Sequence, residues 1–172
     1  TSKWETLPKD IEWHMIGHMQ SNKVKYIADY IDLIHGVESI KLLKEINKQA
    51  LKHRRVIKVL LQFHIANETT KFGLQINEAM EILTSTEFQK LKNVQVAGVM
   101  GMASNTENKE QILKEFQSLK SIFSTLKTTQ FPYEDYFKEI SMGMSGDYKI
   151  AIEAGSTMIR VGSSIFGKRN YV

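Results

Sequence analysis

Residues 140–167 read ISMGMSGDYKIAIEAGSTMIRVGSSIFG. Two apolar strings, EISMGM (139–144) and TMIRVG (157–162), have strand character, and each runs directly into small hydroxyl residues and glycine. Ser145-Gly146-Asp147 follows the first and Ser163-Ser164 the second. Between them YKIAIEAG has helical spacing. The order strand, soft turn, helix, strand, soft turn is one β/α unit followed by the start of the next. Glycine lets the main chain approach a ligand closely, and amides at a helix start point toward an anion. Each serine alone reads as an ordinary helix cap. Two such turns at adjacent strand ends instead point to a bound phosphate, with Ser145 and Ser163 adding hydroxyl donors.

Arg160 lies inside the second string, two residues before Gly162. Burying an arginine in an apolar strand without a partner costs several kcal/mol. Its partner is therefore a carboxylate, the phosphate itself or a ring nitrogen of a cofactor.

Working outward, the same kind of apolar run recurs as IEWHMIG (11–17), IDLIHGV (31–37), VIKVLLQF (56–63) and VQVAGVM (94–100). Helical stripes lie between most of them. Ile40, Leu43, Ile46 and Ala50 share one face; so do Ile112, Phe116, Leu119, Phe123 and Leu126, with Asn105 and Thr106 as expected caps. Leu74, Ile76, Met80 and Leu83 form a looser stripe. Near-continuous apolar strands alternating with helices imply a parallel α/β sheet covered on both faces. Six units in 172 residues is about 29 residues each, against roughly 31 in a (β/α)8 TIM barrel. Spacing alone leaves two architectures: an open doubly wound sheet, or a barrel lacking two units. No G-x-G-x-x-G follows any strand, which removes the simplest dinucleotide reading. The aromatic connection TTQFPYEDYF (128–137) is expected to cover a barrel end.

The length suits a single domain spanning residues 1–172, and 42% hydrophobic with 24% charged residues describes a globular chain. Without cysteine there is no thiolate nucleophile or zinc-thiolate site. No apolar run approaches the ~18 residues of a membrane helix, no signal-type pattern opens the sequence, and a cytoplasmic location is expected. The net charge of +4 is spread along helical stretches, and its densest cluster, Lys52-His53-Arg54-Arg55, carries no nucleic-acid motif. His14 and His18, read as having no acidic ligand near them, make a poor metal pair. His35 and His64 lie in or at the ends of strands, where a hydrogen-bonded core histidine is the usual outcome. The run 67–73 follows a strand, and Lys71 is its natural anion contact.

Three segments carry a resemblance: WHMIGHMQSNK (13–23), QFHIANETTKFG (62–73) and SMGMSGDYKIAIEAGSTMIRVGSSIFGKR (141–169). Together they resemble the signature segments of the YggS/PROSC family of pyridoxal-phosphate homeostasis proteins. The resemblance implies a fold type III barrel, like the N-terminal domain of alanine racemase, that binds pyridoxal 5′-phosphate (PLP). It places Ser145 and the Gly162–Ser163 main chain on the phosphate and Arg160 opposite the pyridine nitrogen. Met142, Ser164, His64 and Lys71 complete the expected cofactor contacts, although the family commonly carries Asn where His64 stands. It implies a non-catalytic role in vitamin B6 homeostasis, with PLP-dependent apoenzymes as partners and a monomer or weak homodimer. A racemase-like enzyme is the alternative, but its second base would come from a further domain. The family's Schiff-base lysine and the segment after it belong to the first two β/α units. Those are the units the count finds missing, so the chain is expected to be a truncated form.

Overall fold

All six apolar runs form strands in the computed structural model, which describes residues 2–68 and 72–167. They are β1 (Trp13–Met15), β2 (Ile31–Val37), β3 (Ile57–Phe63), β4 (Val94–Gly101), β5 (Glu139–Met144) and β6 (Met158–Arg160). Every neighbouring pair is parallel, and the spatial order is the sequence order, β1 to β6. This decides between the two architectures. A doubly wound sheet reverses its strand order at a switch point. Here the order never reverses, so right-handed crossovers place the helices on one face, as in a barrel wall. The sheet has six strands, with β1 and β6 at its edges.

The helix side holds the main core. On α2 (Ile40–Lys52), Leu43, Ile46 and Ala50 are fully buried, and the Ser39 hydroxyl caps the helix by accepting from the Leu42 amide. On α5 (Lys109–Thr129), Ile112, Phe116, Leu119 and Leu126 are buried. Its cap is Asn108, whose side chain accepts from the Gln111 amide, rather than Asn105 or Thr106. The shorter helices among the described residues are α1 (Ser2–Thr6), α3 (Ile76–Thr84), α4 (Thr86–Gln89), α6 (Tyr148–Glu153) and α7 (Ser163–Phe166), with a 3-10 helix over Ser21–Tyr26. Leu74, expected on the α3 stripe, precedes that helix and bridges to Phe63 instead.

Among the described residues no helix covers the other face of the sheet. Leu33, Leu60, Ala97 and Met100 form a separate buried cluster there, joined by Met102 and Met158. Side chains alternate along a strand, so this parity puts His35, Ser141 and Arg160 on the helix-free face and Met142 on the other.

The aromatic connection behaves as a packed cover. The first two of its residues extend α5, and Phe131 and Phe137 are buried in a stack 4.3 Å between ring centroids, with Phe123 stacked on Phe137 at 5.0 Å. This cluster precedes β5. It therefore lies at the opposite strand end from the turns that follow β5 and β6.

Candidate functional site

The β5 and β6 turns meet. The Ser145 hydroxyl oxygen accepts from the Gly162 amide at 3.3 Å and from the Ser164 amide at 3.4 Å. Neither serine is a helix cap: Asp147 precedes α6 and Gly162 precedes α7. Two main-chain donors from one turn therefore converge on a single oxygen of the other, the arrangement by which successive amides hold an anion. Asp147 fixes the first turn by accepting from the Met144 amide at 2.5 Å.

Arg160 sits one strand residue below, 8% exposed, on the helix-free face. Its Nη1 donates to the Ser141 hydroxyl at 2.8 Å and its Nη2 to the Gly101 carbonyl at 3.2 Å, both neutral groups. Its Nε is buried without a hydrogen-bond partner. Burial lowers the guanidinium pKa to about 10, while Asp147 pulls it upward, so the group is charged at neutral pH.

Ser141 continues the contacts across the sheet. Its hydroxyl lies 2.9 Å from His35 Nδ1, and His35 Nε2 lies 3.2 Å from His14 Nδ1. His35 is 1% exposed, and burial, with the charges of His14 and Arg160, lowers its pKa to about 3. It is a neutral, hydrogen-bonded core histidine. Acidic groups do approach His14 and His18, contrary to the expectation: Glu12 from two residues before His14, Asp32 and Glu38 from the next strand and its end. His14 Nε2 lies 3.9 Å from Asp32, and Glu12, His14 and Asp32 come within 4.8 Å of one another. Lys58 already occupies Asp32 at 3.3 Å, and His18 pairs with Glu38 at 3.3 Å.

The remaining expected contacts separate. Met142 is fully buried, with its side chain in the helix-side core rather than on the face of Arg160. Its carbonyl accepts from Ser156 at 2.9 Å. His64 follows β3 and its Nε2 bonds the Glu68 carbonyl at 2.9 Å, closing its own loop. Lys71 lies outside the described residues.

Sequence reading missed one group. Glu115, on the inner side of α5, is 7% exposed and accepts four hydrogen bonds. They come from the Ser104 amide at 2.6 Å, the Ser104 hydroxyl at 2.7 Å, Gln111 Nε2 at 3.0 Å and the Asn67 amide at 3.1 Å. It ties the loop after β3 to the loop after β4. Glutamate in a charged amphipathic helix gives no sequence signal of this.

A parallel sheet wound in strand order, with an anion-type turn pair and a buried arginine at its last two strands, defines a β/α barrel-wall protein with a site at the carboxyl strand ends. Residues 6–170 match the family described as alanine racemase, N-terminal domain, and the chain belongs to that family. It is 39% identical over 161 residues to the pyridoxal phosphate homeostasis protein of Vibrio alginolyticus, a match covering 94% of this chain and 66% of that one. It is 38% identical over 170 residues to the protein of that name from Aquifex aeolicus, covering 98% and 72%. The chain thus spans about two thirds of the length of these curated relatives. Among solved structures, PipY of Synechococcus elongatus with PLP bound superposes with a TM-score of 0.81 at 28% identity, covering 96% of this chain and 74% of that one. An alanine racemase of Clostridium difficile shares the fold, with a TM-score of 0.67 at 15% identity, covering 90% and 41%.

Proposed function

We propose that this chain binds pyridoxal 5′-phosphate and serves, without catalysing a reaction, in the supply of that cofactor. One observation carries the reading. A buried, charged arginine keeps Nε unpartnered at the same strand end where two amides converge on one oxygen. The residues present fit the group: an anion suits the Gly162 and Ser164 amides with the Ser145 hydroxyl, and a ring nitrogen suits the orphan donor of Arg160. The names of the relatives and the PLP-bound PipY structure support the same assignment.

When bound, PLP supplies an electrophilic aldehyde and an electron-withdrawing ring. The chain's own residues determine how little of that is used. A guanidinium offers donors only. Facing a pyridine nitrogen, Arg160 keeps that nitrogen an acceptor and unprotonated, which weakens the ring as an electron sink. In this reading the Ser145 and Gly162–Ser164 turns hold the cofactor through its phosphate. Such a site retains the cofactor without activating it, which favours a carrier over a racemase.

In this reading the six strands are part of the wall of a (β/α)8 barrel of fold type III, and residues 1–172 form one partial PLP-binding domain. Two further units of about 31 residues each would close it, in keeping with the greater length of the relatives. The protein would act in the cytoplasm as a monomer or weak homodimer, handing PLP to apoenzymes. Among the described residues no helix is long and apolar enough to cross a membrane.

Equilibrium dialysis of the chain against PLP, pyridoxamine 5′-phosphate and unphosphorylated pyridoxal tests this. Retention through the phosphate predicts similar affinity for the two phosphate esters and at least about tenfold weaker binding of pyridoxal. Ser145→Ala lowers affinity for both esters alike. Equal affinity for PLP and pyridoxal overturns the proposal.

A further inference from the structure

Resting on that reading of the site, we propose that His14, His35 and Ser141 are positioning residues for Arg160. They form a hydrogen-bond relay of fixed direction that holds the two Nη atoms of its guanidinium and leaves the buried Nε without a protein partner. The relay spans four strands: Arg160 on β6, Ser141 on β5, His35 on β2 and His14 on β1. Residues so far apart in sequence meet because all four lie on the helix-free face.

The direction follows from what each group can donate. Arginine has donors only, so Ser141 Oγ must accept from Nη1. Ser141 is fully buried, and its own proton needs an acceptor. His35 Nδ1, at 2.9 Å, is that acceptor. A neutral His35 then carries its proton on Nε2 and donates to His14 Nδ1 at 3.2 Å. His14 in turn carries its proton on Nε2, the nitrogen that faces the Asp32 carboxylate at 3.9 Å. The reverse direction fails at both ends. It strands the buried Ser141 proton, and it sets a nitrogen lone pair against a carboxylate. With both histidines neutral, a donor-only cation at one end and an acceptor-only anion at the other leave one proton arrangement.

The consequence is orientational. With Ser141 locked by His35, and Gly101 by the β4 ladder, the two Nη atoms are pinned. A freely rotating serine would let the guanidinium turn and satisfy Nε within the protein. The relay keeps that donor unpartnered.

Two measurements test this. Long-range 1H–15N spectra of the histidine rings in the ligand-free chain should show both His14 and His35 protonated on Nε2. An Nδ1-protonated His35 overturns the relay, whatever PLP does. Dialysis then compares PLP with inorganic phosphate in the parent chain, His35→Leu and His35→Asn. His35→Leu should weaken PLP about tenfold and leave phosphate unchanged; His35→Asn, which can still accept from Ser141, should recover most of the loss. Equal effects on PLP and phosphate, or no effect on either, overturn it. If the parent chain binds neither, the cofactor reading falls, and the tautomers alone decide the relay.

Discussion

Replacing Glu115 by Gln tests how the face that bears the site is held together. One carboxylate oxygen accepts from Ser104 Oγ, Gln111 Nε2 and the Asn67 amide, and the other from the Ser104 amide. A glutamine can keep its oxygen toward the first three. Its NH2 then faces the Ser104 N–H, so two donors meet and one buried amide is left unsatisfied. Hydrogen bonds to a charged group contribute about 1.5–3 kcal/mol, and an orphaned buried donor costs about 1–3 kcal/mol, so the expected loss is about 3 kcal/mol. For a domain of this size each kcal/mol moves Tm by about 2–4 °C, giving a drop of roughly 6–12 °C. The loss should also depend on pH. Burial alone would raise the Glu115 pKa, but the bonds from the Ser104 amide, Gln111, the Ser104 hydroxyl and Asn67 outweigh it and hold it below its ordinary 4.5. A depressed carboxyl pKa contributes stability that is fully present above the unfolded value and is lost as pH falls through the folded one. Thermal unfolding of parent and variant at pH 7, and at steps below pH 4.5, should therefore show their Tm values converging as the parent's carboxylate protonates. A gap under about 1 kcal/mol at pH 7, or a gap that stays constant as the acid range is entered, refutes the argument.

Gly98→Ala should be harsher, because a Cβ there would lie 1.9 Å from the Glu139 carbonyl oxygen. Strand β5 would have to move away from β4, and we expect more than about 3 kcal/mol of lost stability by chemical denaturation. A variant with parental stability would show that the strands do not approach as described. Phe137→Ala removes a 1% exposed ring from the stack with Phe123 and Phe131, at an expected cost of about 3–5 kcal/mol. Because that stack precedes β5, PLP affinity measured below the lowered Tm should not change; a parallel loss of affinity would contradict the separation of the two strand ends.

The fold was legible where burial acts on contiguous residues. The strings at 31–37 and 139–144 coincide with β2 and β5, and the stripes on α2 and α5 bury their expected apolar residues. Boundaries were less legible where hydrogen bonding decides them. Asn108 takes the α5 cap because its side chain reaches Gln111, and Asn105 is an equally good cap by residue type. At the site, the paired turns and the lone strand arginine could be read, since hydroxyls, glycine and a charge in apolar surroundings are local signals. The partners of Arg160 could not. Ser141 and the Gly101 carbonyl come from separate strands, and no spacing rule links residues 101, 141 and 160 before the register is known. The orientation of Met142 was not legible either, since only strand alternation, known once the register is known, turns its side chain to the helix-side core.

The closeness of the two turns itself needs a cause, and it lies in the compact connection between β5 and β6. Parallel strands require a crossover, usually a helix of a dozen or more residues with its loops. Here α6 supplies only Tyr148–Glu153. So short a helix can return the chain to the next strand only by lying close against the sheet. Gly143 permits that: a Cβ there would meet the Ala151 Cβ at 2.5 Å and the Tyr148 Cα at 3.1 Å, and its φ of +95° disfavours any larger residue. Ser156 closes the return by donating within reach of the Ile140, Met142 and Met158 carbonyls, at 3.2, 2.9 and 3.0 Å. With β6 drawn in beside β5, Gly162 and Ser164 reach Ser145, and Arg160 reaches Ser141. The small residues that first suggested a ligand site thus have two separate tasks. Ser145 and Gly162 make the contact between the two turns, while Gly143 and Ser156 make the packing that brings those turns together.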